Sequence, residues 1–422
     1  MPTTLTPQRA AWAVATVFFA SGFAFASWAS RLPAVRDALG FGEAQMGLLL
    51  LSAAVGSICA LPLSGLVVNR LGAVRTVVIF AVVTAVGFAV TVVAVDLGVV
   101  WAVRAGLVVA GIGNGVWDAA MNIEGAAVER KLGRSLMPRL HAAFSLGTVA
   151  GAGVGALAAF LQVSYTVHEV AAMVVVVVTV LLAVRYFLPV EAPERVAPSA
   201  DDLQVDPVAA PSAGRNQLAA WTERRTLLIG IVVLAAALTE GAANDWVSLA
   251  VVDGFGVADG MGALGLALFL SAMTGMRLLG TGLLDRFGRV AVLRLSAGLA
   301  LVGLGVFATV DNLAVAMVGI VLWGAGAALG FPVGMSAASD DPEHAAVRVS
   351  VVATIGYSAF FIGPPLIGFL AHLVGYREAL LVIAVPLVIG LFVVSAARPL
   401  PAADDEPAES TPGSRPGDAA TN

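Results

Sequence analysis

Gly65-Leu-Val-Val-Asn-Arg-Leu-Gly-Ala-Val-Arg75 and Thr281-Gly-Leu-Leu-Asp-Arg-Phe-Gly-Arg-Val-Ala291 are two versions of one stretch. Aligning Asn69 with Asp285 brings Arg70 onto Arg286 and Gly72 onto Gly288. The glycine permits a tight reversal between two apolar runs. The amide or acid and its arginine can pair with helix ends and lipid phosphates. One copy would read as an ordinary turn. Two copies, each closing the second run of a half, indicate a duplication. Trp28-Ala-Ser30 and Trp246-Val-Ser248 mark equivalent places, as do Gly111, Gly113 and Gly115 beside Gly324, Gly326, Gly330 and Gly334.

Composition sets the class. Of 422 residues, 59% are hydrophobic and 12% charged, against about 25% charged in soluble proteins. Mean hydropathy is +0.93. So few charges cannot cover a soluble globule of this size, and an integral membrane protein is expected. The net charge of −5 says little about partners, because acids gather in two loops. Cys59 is the single cysteine, which excludes an intrachain disulfide framework and a cysteine-based metal cluster.

Apolar runs of spanning length are expected near 10–30, 45–68, 74–94, 100–127, 140–162, 167–188, 225–252, 260–283, 290–310, 313–336, 347–371 and 377–397. The first is read as a retained span and not a cleaved signal. With the N-terminus cytoplasmic, the outer loops carry only Arg31, Arg36 and Arg377 as basic residues, and the remaining loop arginines fall inside. That asymmetry puts both termini in the cytoplasm. Residues 189–224 and 399–422 are rich in proline and acid, which predicts a disordered linker and a disordered tail. The expected units are a six-helix bundle at 1–188, the linker at 189–224, a second six-helix bundle at 225–398 and the tail.

The two loops resemble the G-x-L-x-D-R-x-G-R-R signature of the major facilitator superfamily. Asn69 stands for its usual aspartate, Ala73 and Val74 for basic residues, and Thr281 for its leading glycine. Within that superfamily, Trp28-Ala-Ser-Arg-Leu-Pro-Ala-Val-Arg36, Trp117-Asp-Ala-Ala-Met-Asn122 and Met137-Pro-Arg-Leu-His-Ala-Ala-Phe-Ser145 resemble the MosC-like and YbjJ-like bacterial transporters. The resemblance implies an all-α membrane protein, twelve transmembrane helices in two pseudo-symmetric bundles, in a bacterial cytoplasmic membrane. It also implies that the first, fourth, seventh and tenth helices line a central cavity, and it points loosely to sugar- or inositol-type solutes. Asn69, Arg70, Gly72, Asp285, Arg286 and Gly288 would then form the gating loops.

Asn114, Asp118 and Asn122 recur every four residues on the fourth run and share one helix face, with Glu129 extending it. An aspartate at mid-membrane costs about 2.5–3.5 kcal/mol, which cancels roughly six to ten good apolar residues. Such a face is expected to line a polar cavity. The seventh run carries Thr239-Glu-Gly-Ala-Ala-Asn-Asp-Trp246, with Glu240 near the midplane and Asn244 one turn on. Asp118 and Glu240 are candidates for proton coupling. Asn114, Asn122, Asn244, Trp117 and Trp246 suit a hydroxylated solute, amides meeting hydroxyls and indoles meeting an apolar sugar face. The other reading makes the acids structural, paired with Arg104 or Arg277, and the indoles packing. Asp245 lies on a different face. Glu124, Arg134 and His141 are expected near one another at the fourth-to-fifth junction.

Lys131, the only lysine, precedes Leu132 and so no phosphate loop exists. The four histidines lack metal spacing. No enzyme, cofactor, metal or nucleic-acid partner is expected. The reading is a monomeric secondary transporter of a small polar solute, driven by protons and in contact with membrane lipids. An exporter of amphipathic compounds is the alternative within the class, and a membrane-embedded enzyme or receptor the alternative outside it.

Overall fold

The computed structural model describes residues 6–133, 136–188, 220–341 and 344–400. Most of the expected linker and nearly all of the expected tail lie outside these residues. The described chain is almost entirely helical. The helices are α1 (Pro7–Ala29), α2 (Leu32–Leu39), α3 (Glu43–Leu71), α4 (Ala73–Asp96), α5 (Val100–Leu132), α6 (Met137–Phe160) and α7 (Tyr165–Ala183). After the gap follow α8 (Arg224–Phe255), α9 (Asp259–Thr309), α10 (Leu313–Ala327), α11 (Gly330–Ala338), α12 (Ala345–Val374), α13 (Tyr376–Ala379) and α14 (Ala384–Val393).

Among the described residues, eleven helical stretches are long and apolar enough to cross a membrane, where twelve runs were expected. The difference lies in α9. Its 51 residues would reach about 76 Å if straight, against a hydrocarbon core of about 30 Å. Gly288 interrupts it with φ 73° and ψ 163°, and the eighth and ninth expected runs stand on either side. Gly72, between α3 and α4, has φ 78° and ψ 156°. A side chain at either place would meet open space, so the requirement is conformational and not steric. That backbone region is essentially restricted to glycine. The two sequence copies therefore make the same turn.

Glycine also sets how closely helices cross. A Cβ at Gly111 would stand 2.1 Å from the Ala53 carbonyl oxygen, and one at Gly113 would stand 2.5 Å from Thr84 Oγ1. In the second half, a Cβ at Gly324 would lie 2.4 Å from the Phe269 carbonyl, and one at Gly326 would lie 2.2 Å from the Ala300 nitrogen. The glycine-rich fourth and tenth runs are thus pressed between two neighbours each, as small residues allow in membrane bundles. Gly147 and Gly151 do the same for α6 against Phe19 and Phe23 of α1. The sequence left out α2, a short helix opened by Pro33 and closed by Gly40 in the left-handed region, φ 61°.

The elements before the gap pack chiefly on one another, and so do those after it; α6 against α9 and α3 against α12 are the principal joints between them. The joining contacts include Gly47 of α3, whose Cβ would lie 2.6 Å from the Pro364 carbonyl. Arg36 forms an ion pair with Asp253. Glu43 stands 3.5 Å from His372, and the Ser248 hydroxyl 3.5 Å from the Ala29 carbonyl. These contacts gather at the end of the molecule opposite to Pro7 and Arg398, here called the distal end.

Candidate solute-binding site

The helical period puts Asn114, Asp118 and Asn122 on one face of α5, all partly exposed. The Asn122 amide donates to the Asp118 carbonyl oxygen at 2.8 Å and lies 3.3 Å from Asp118 Oδ1. One carboxylate oxygen is thereby oriented and the other is left for a further partner. Tyr357 of α12 stands within electrostatic range of Asp118 from the other half. Its half-exposed ring packs on Phe331 at 5.9 Å and on Phe360 at 6.2 Å. An acid, two amides and an aromatic wall thus share one region between the halves.

Glu240 of α8 is partly exposed and accepts a 2.8 Å ion-pair hydrogen bond from Arg277 Nη2 of α9. Arg277 Nε donates to the Ala328 carbonyl at 3.2 Å. That carbonyl is free because Pro332, four residues on, has no N–H to return. Arg277 Nη1 lies 3.5 Å from Ser145 Oγ of α6. One guanidinium therefore ties α8, α9 and the α10–α11 break to the first half. Both members of the pair keep about a quarter of their side chains exposed, 28% for Arg277 and 22% for Glu240. Asn244, one turn along, has a buried Oδ1 without a hydrogen-bond partner. Asp245 follows on a separate face, partly exposed.

Several expectations meet a different geometry. Trp117 and Trp246 are fully buried, and Trp246 packs on Tyr376 at 5.5 Å. In this conformation both indoles are core and neither offers a face to a solute. Arg104 is exposed near the start of α5 and holds neither acid. Asn69, Arg70, Asp285 and Arg286 are exposed, and Arg286 lies over the Phe287 ring at 5.2 Å. The ionic contacts of that end belong to neighbours: Asp340 pairs with Arg225 at 2.8 Å and with Arg289 at 2.6 Å. Glu129 accepts from the backbone N–H groups of Leu136 at 2.5 Å and Met137 at 2.7 Å, so it caps α6 and stands outside the site. Glu124 is buried and accepts from the Leu188 backbone, while His141 packs edge-on against Phe18 at 5.5 Å. Among the described residues no hydrogen bond or ion pair joins these two, and Arg134 lies outside the described residues.

Sequence reasoning missed Ser145 and Tyr357 as site residues. The signal for Ser145 was faint, a hydroxyl in an otherwise apolar run. Tyr357 could be assigned only once α12 was seen across from α5.

The profile of the Major Facilitator Superfamily matches residues 13–364 and 249–419. An uncharacterised transporter of Sinorhizobium fredii is 32% identical over 396 residues, covering 91% of this chain and 98% of its own. Membrane protein MosC of Rhizobium meliloti is 29% identical over 393 residues, covering 89% and 88%. Among solved structures, the nucleoside transporter NupG superposes with TM-score 0.71 at 15% identity, over 92% of this chain and 98% of that one. The D-xylose–proton symporter gives TM-score 0.68 at 15% identity, over 92% and 97%. At such identities the structural likeness speaks for the fold, and the sequence match speaks for kinship. With duplicated glycine turns, paired helical halves and a polar region between them, this chain belongs to the Major Facilitator Superfamily, as a multi-pass transporter of small molecules of the MosC-like type.

Proposed function

We propose that the chain carries a sugar-, polyol- or inositol-like solute by proton symport, alternating access between residues 1–188 and 225–398 about the Asp118–Asn122 site. Asp118 takes and returns the proton, and Glu240, held by Arg277, senses it from the other half. Asn114, Asn122 and Asn244 supply amide donors and acceptors for hydroxyl groups, and Tyr357 supplies an aromatic wall. The membrane is a bacterial cytoplasmic one, both termini face the cytoplasm, and the unit is a monomer among lipids.

The carrying observation is that Asp118 keeps one oxygen unengaged in a region shared by both halves. A carboxylate there is costly unless a cation, a proton or a donor-bearing solute compensates it. A relative's symport of D-xylose is a property of that protein, but a proton-driven cycle on this fold supports the same cycle here. The test begins with a thermal-shift screen of purified protein against sugars, polyols and inositols, since a ligand of the folded form raises its melting temperature. Uptake of a stabilising solute into proteoliposomes then follows an imposed pH gradient in the wild type. Asp118→Asn and Glu240→Gln should lose that dependence; accumulation against a gradient by both variants would overturn the coupling.

A further inference from the structure

A second buried polar cluster lies at the distal end of the first half, away from Asp118. Arg31, between α1 and α2, is 5% exposed, and Glu169 of α7 is 1% exposed. His168, beside Glu169, is 6% exposed. Arg31 Nη2 donates to the Val163 carbonyl at 2.7 Å. Its Nε and Nη1, both Glu169 oxygens, both His168 ring nitrogens and Ser27 Oγ have no hydrogen-bond partner among the described residues. Buried polar atoms are nearly always paired, so seven orphans in one place call for a cause.

The position of Arg31 supplies one. Its guanidinium lies in the field of two carboxylates on different halves, Asp259 at the start of α9 and Glu169 on α7. Burial draws Arg31 below its ordinary value, and those two charges act against it. Asp259 in turn feels Arg36, Asp37 and Asp253, the cluster that joins the halves at this end. Glu169 is held in place by its helix. The Thr166 hydroxyl donates to Asp96 of α4 at 2.7 Å, and Tyr165 also donates to Asp96. Glu169 sits four residues into α7, about 6 Å along the helix axis from its distal start.

We propose that Glu169 is a proton-binding carboxyl that holds Arg31 when ionised and releases it to Asp259 of the other half when protonated, so that proton uptake closes the distal end. The step is balanced: a proton from distal water adds to the Glu169 carboxylate, giving the neutral acid, and Arg31 exchanges one carboxylate for another. Groups facing Glu169 are Arg31 from the α1–α2 junction, His168 on its own helix and the engaged Asp96 of α4. On α6, no charged residue occurs between His141 and the distal end. The His168 ring fits against Gly155, where a Cβ would lie 3.5 Å from its Cε1. The proposal rests on reading the chain as a transporter whose distal end opens and closes.

The test needs no solute. In a Cys59→Ser background, nitroxide labels at Leu97→Cys and Val315→Cys, exposed distal positions on the two halves, report the distance across that end. In the wild type, lowering the pH from about 8 to about 5 should raise the ratio of closed to open molecules. The steepest response is about tenfold per pH unit, the limit for one coupled proton. Glu169→Gln should be closed at both pH values. Asp259→Asn, which removes the other carboxylate and leaves Glu169 intact, should be shifted open at both and lose the response. A wild-type pH response retained in either variant overturns the proposal, as does a wild type without one. Asp118→Asn should keep the response. Its disappearance there, with persistence in Glu169→Gln, would assign the proton to Asp118 and also overturn the inference. A failed uptake test on Asp118 leaves these distances to be judged alone.

Discussion

At the residue scale, Glu240 and Arg277 behave as a pair whose parts are not interchangeable. Removing Glu240 leaves a partly buried guanidinium with only the Ala328 carbonyl and a long contact to Ser145. Glu240→Gln keeps an amide oxygen for Arg277 to bond but leaves the guanidinium charge uncompensated, and is expected to destabilise by about 1–3 kcal/mol. Glu240→Gln combined with Arg277→Gln should recover part of that loss, since two neutral amides carry no unpaired charge. Chemical or thermal unfolding of the single and double variants in one detergent measures this; a double variant less stable than the sum of the two singles would contradict the pairing. Asn122 plays a narrower part. Its amide fixes Asp118 Oδ1, and Asn122→Ala should weaken solute binding while fold stability changes little. Ligand-induced melting shifts check it.

At the element scale, the turn glycines give the sharpest expectation. Gly288→Ala and Gly72→Ala force a Cβ into a backbone region that other residues avoid, at about 1–3 kcal/mol each. Gly275→Ala, inside α9 with open space at its Cβ and ordinary helical backbone, should be neutral or stabilising by up to about 1 kcal/mol. Equal effects at the three positions would contradict the account. These turns were readable from sequence because a glycine-only conformation leaves a glycine in both copies. The polar face of α5 was readable for a similar reason, since helical period alone puts Asn114, Asp118 and Asn122 together. The hydrogen bond between Arg277 and Ala328 was not readable, because it joins residues 51 positions apart across a proline break. Nor was the burial of Trp117 and Trp246, for a tryptophan next to a polar stripe fits a cavity wall and a core equally well by pattern. The short α2 was lost inside a stretch that read as a loop with two arginines.

At the scale of the whole molecule, charge pairs gather at both ends and their pH behaviour differs. Outside the spanning segments, Glu223 lies at the end near Arg398. Burial acts to raise its proton affinity, but bonds from the Thr226 hydroxyl at 2.8 Å and Arg348 Nε at 2.7 Å prevail and hold it below its ordinary value. Its stabilising contribution is thus full above the unfolded-state value and lost as pH falls through the lower folded one, on the acid side of the ordinary glutamate range. Melting curves should show wild type losing stability more steeply than Glu223→Gln on that acid side; parallel curves would contradict the pairing. At the distal end, Asp253 and Asp37 hold Arg36 above its ordinary value despite burial. Arg36→Gln should therefore loosen the join between halves and shift the distal distance distribution toward the open form.

Solute and proton move together through Asp118 in the proposed cycle, and proton entry can be read directly. Purified protein is reconstituted into liposomes that enclose a pH-sensitive dye, and sugars, polyols and inositols are added outside one at a time. A solute which raises the melting temperature should also acidify the interior in the wild type, and Asp118→Asn should abolish the acidification. Solute entry with no proton movement, or undiminished acidification in Asp118→Asn, would contradict that cycle.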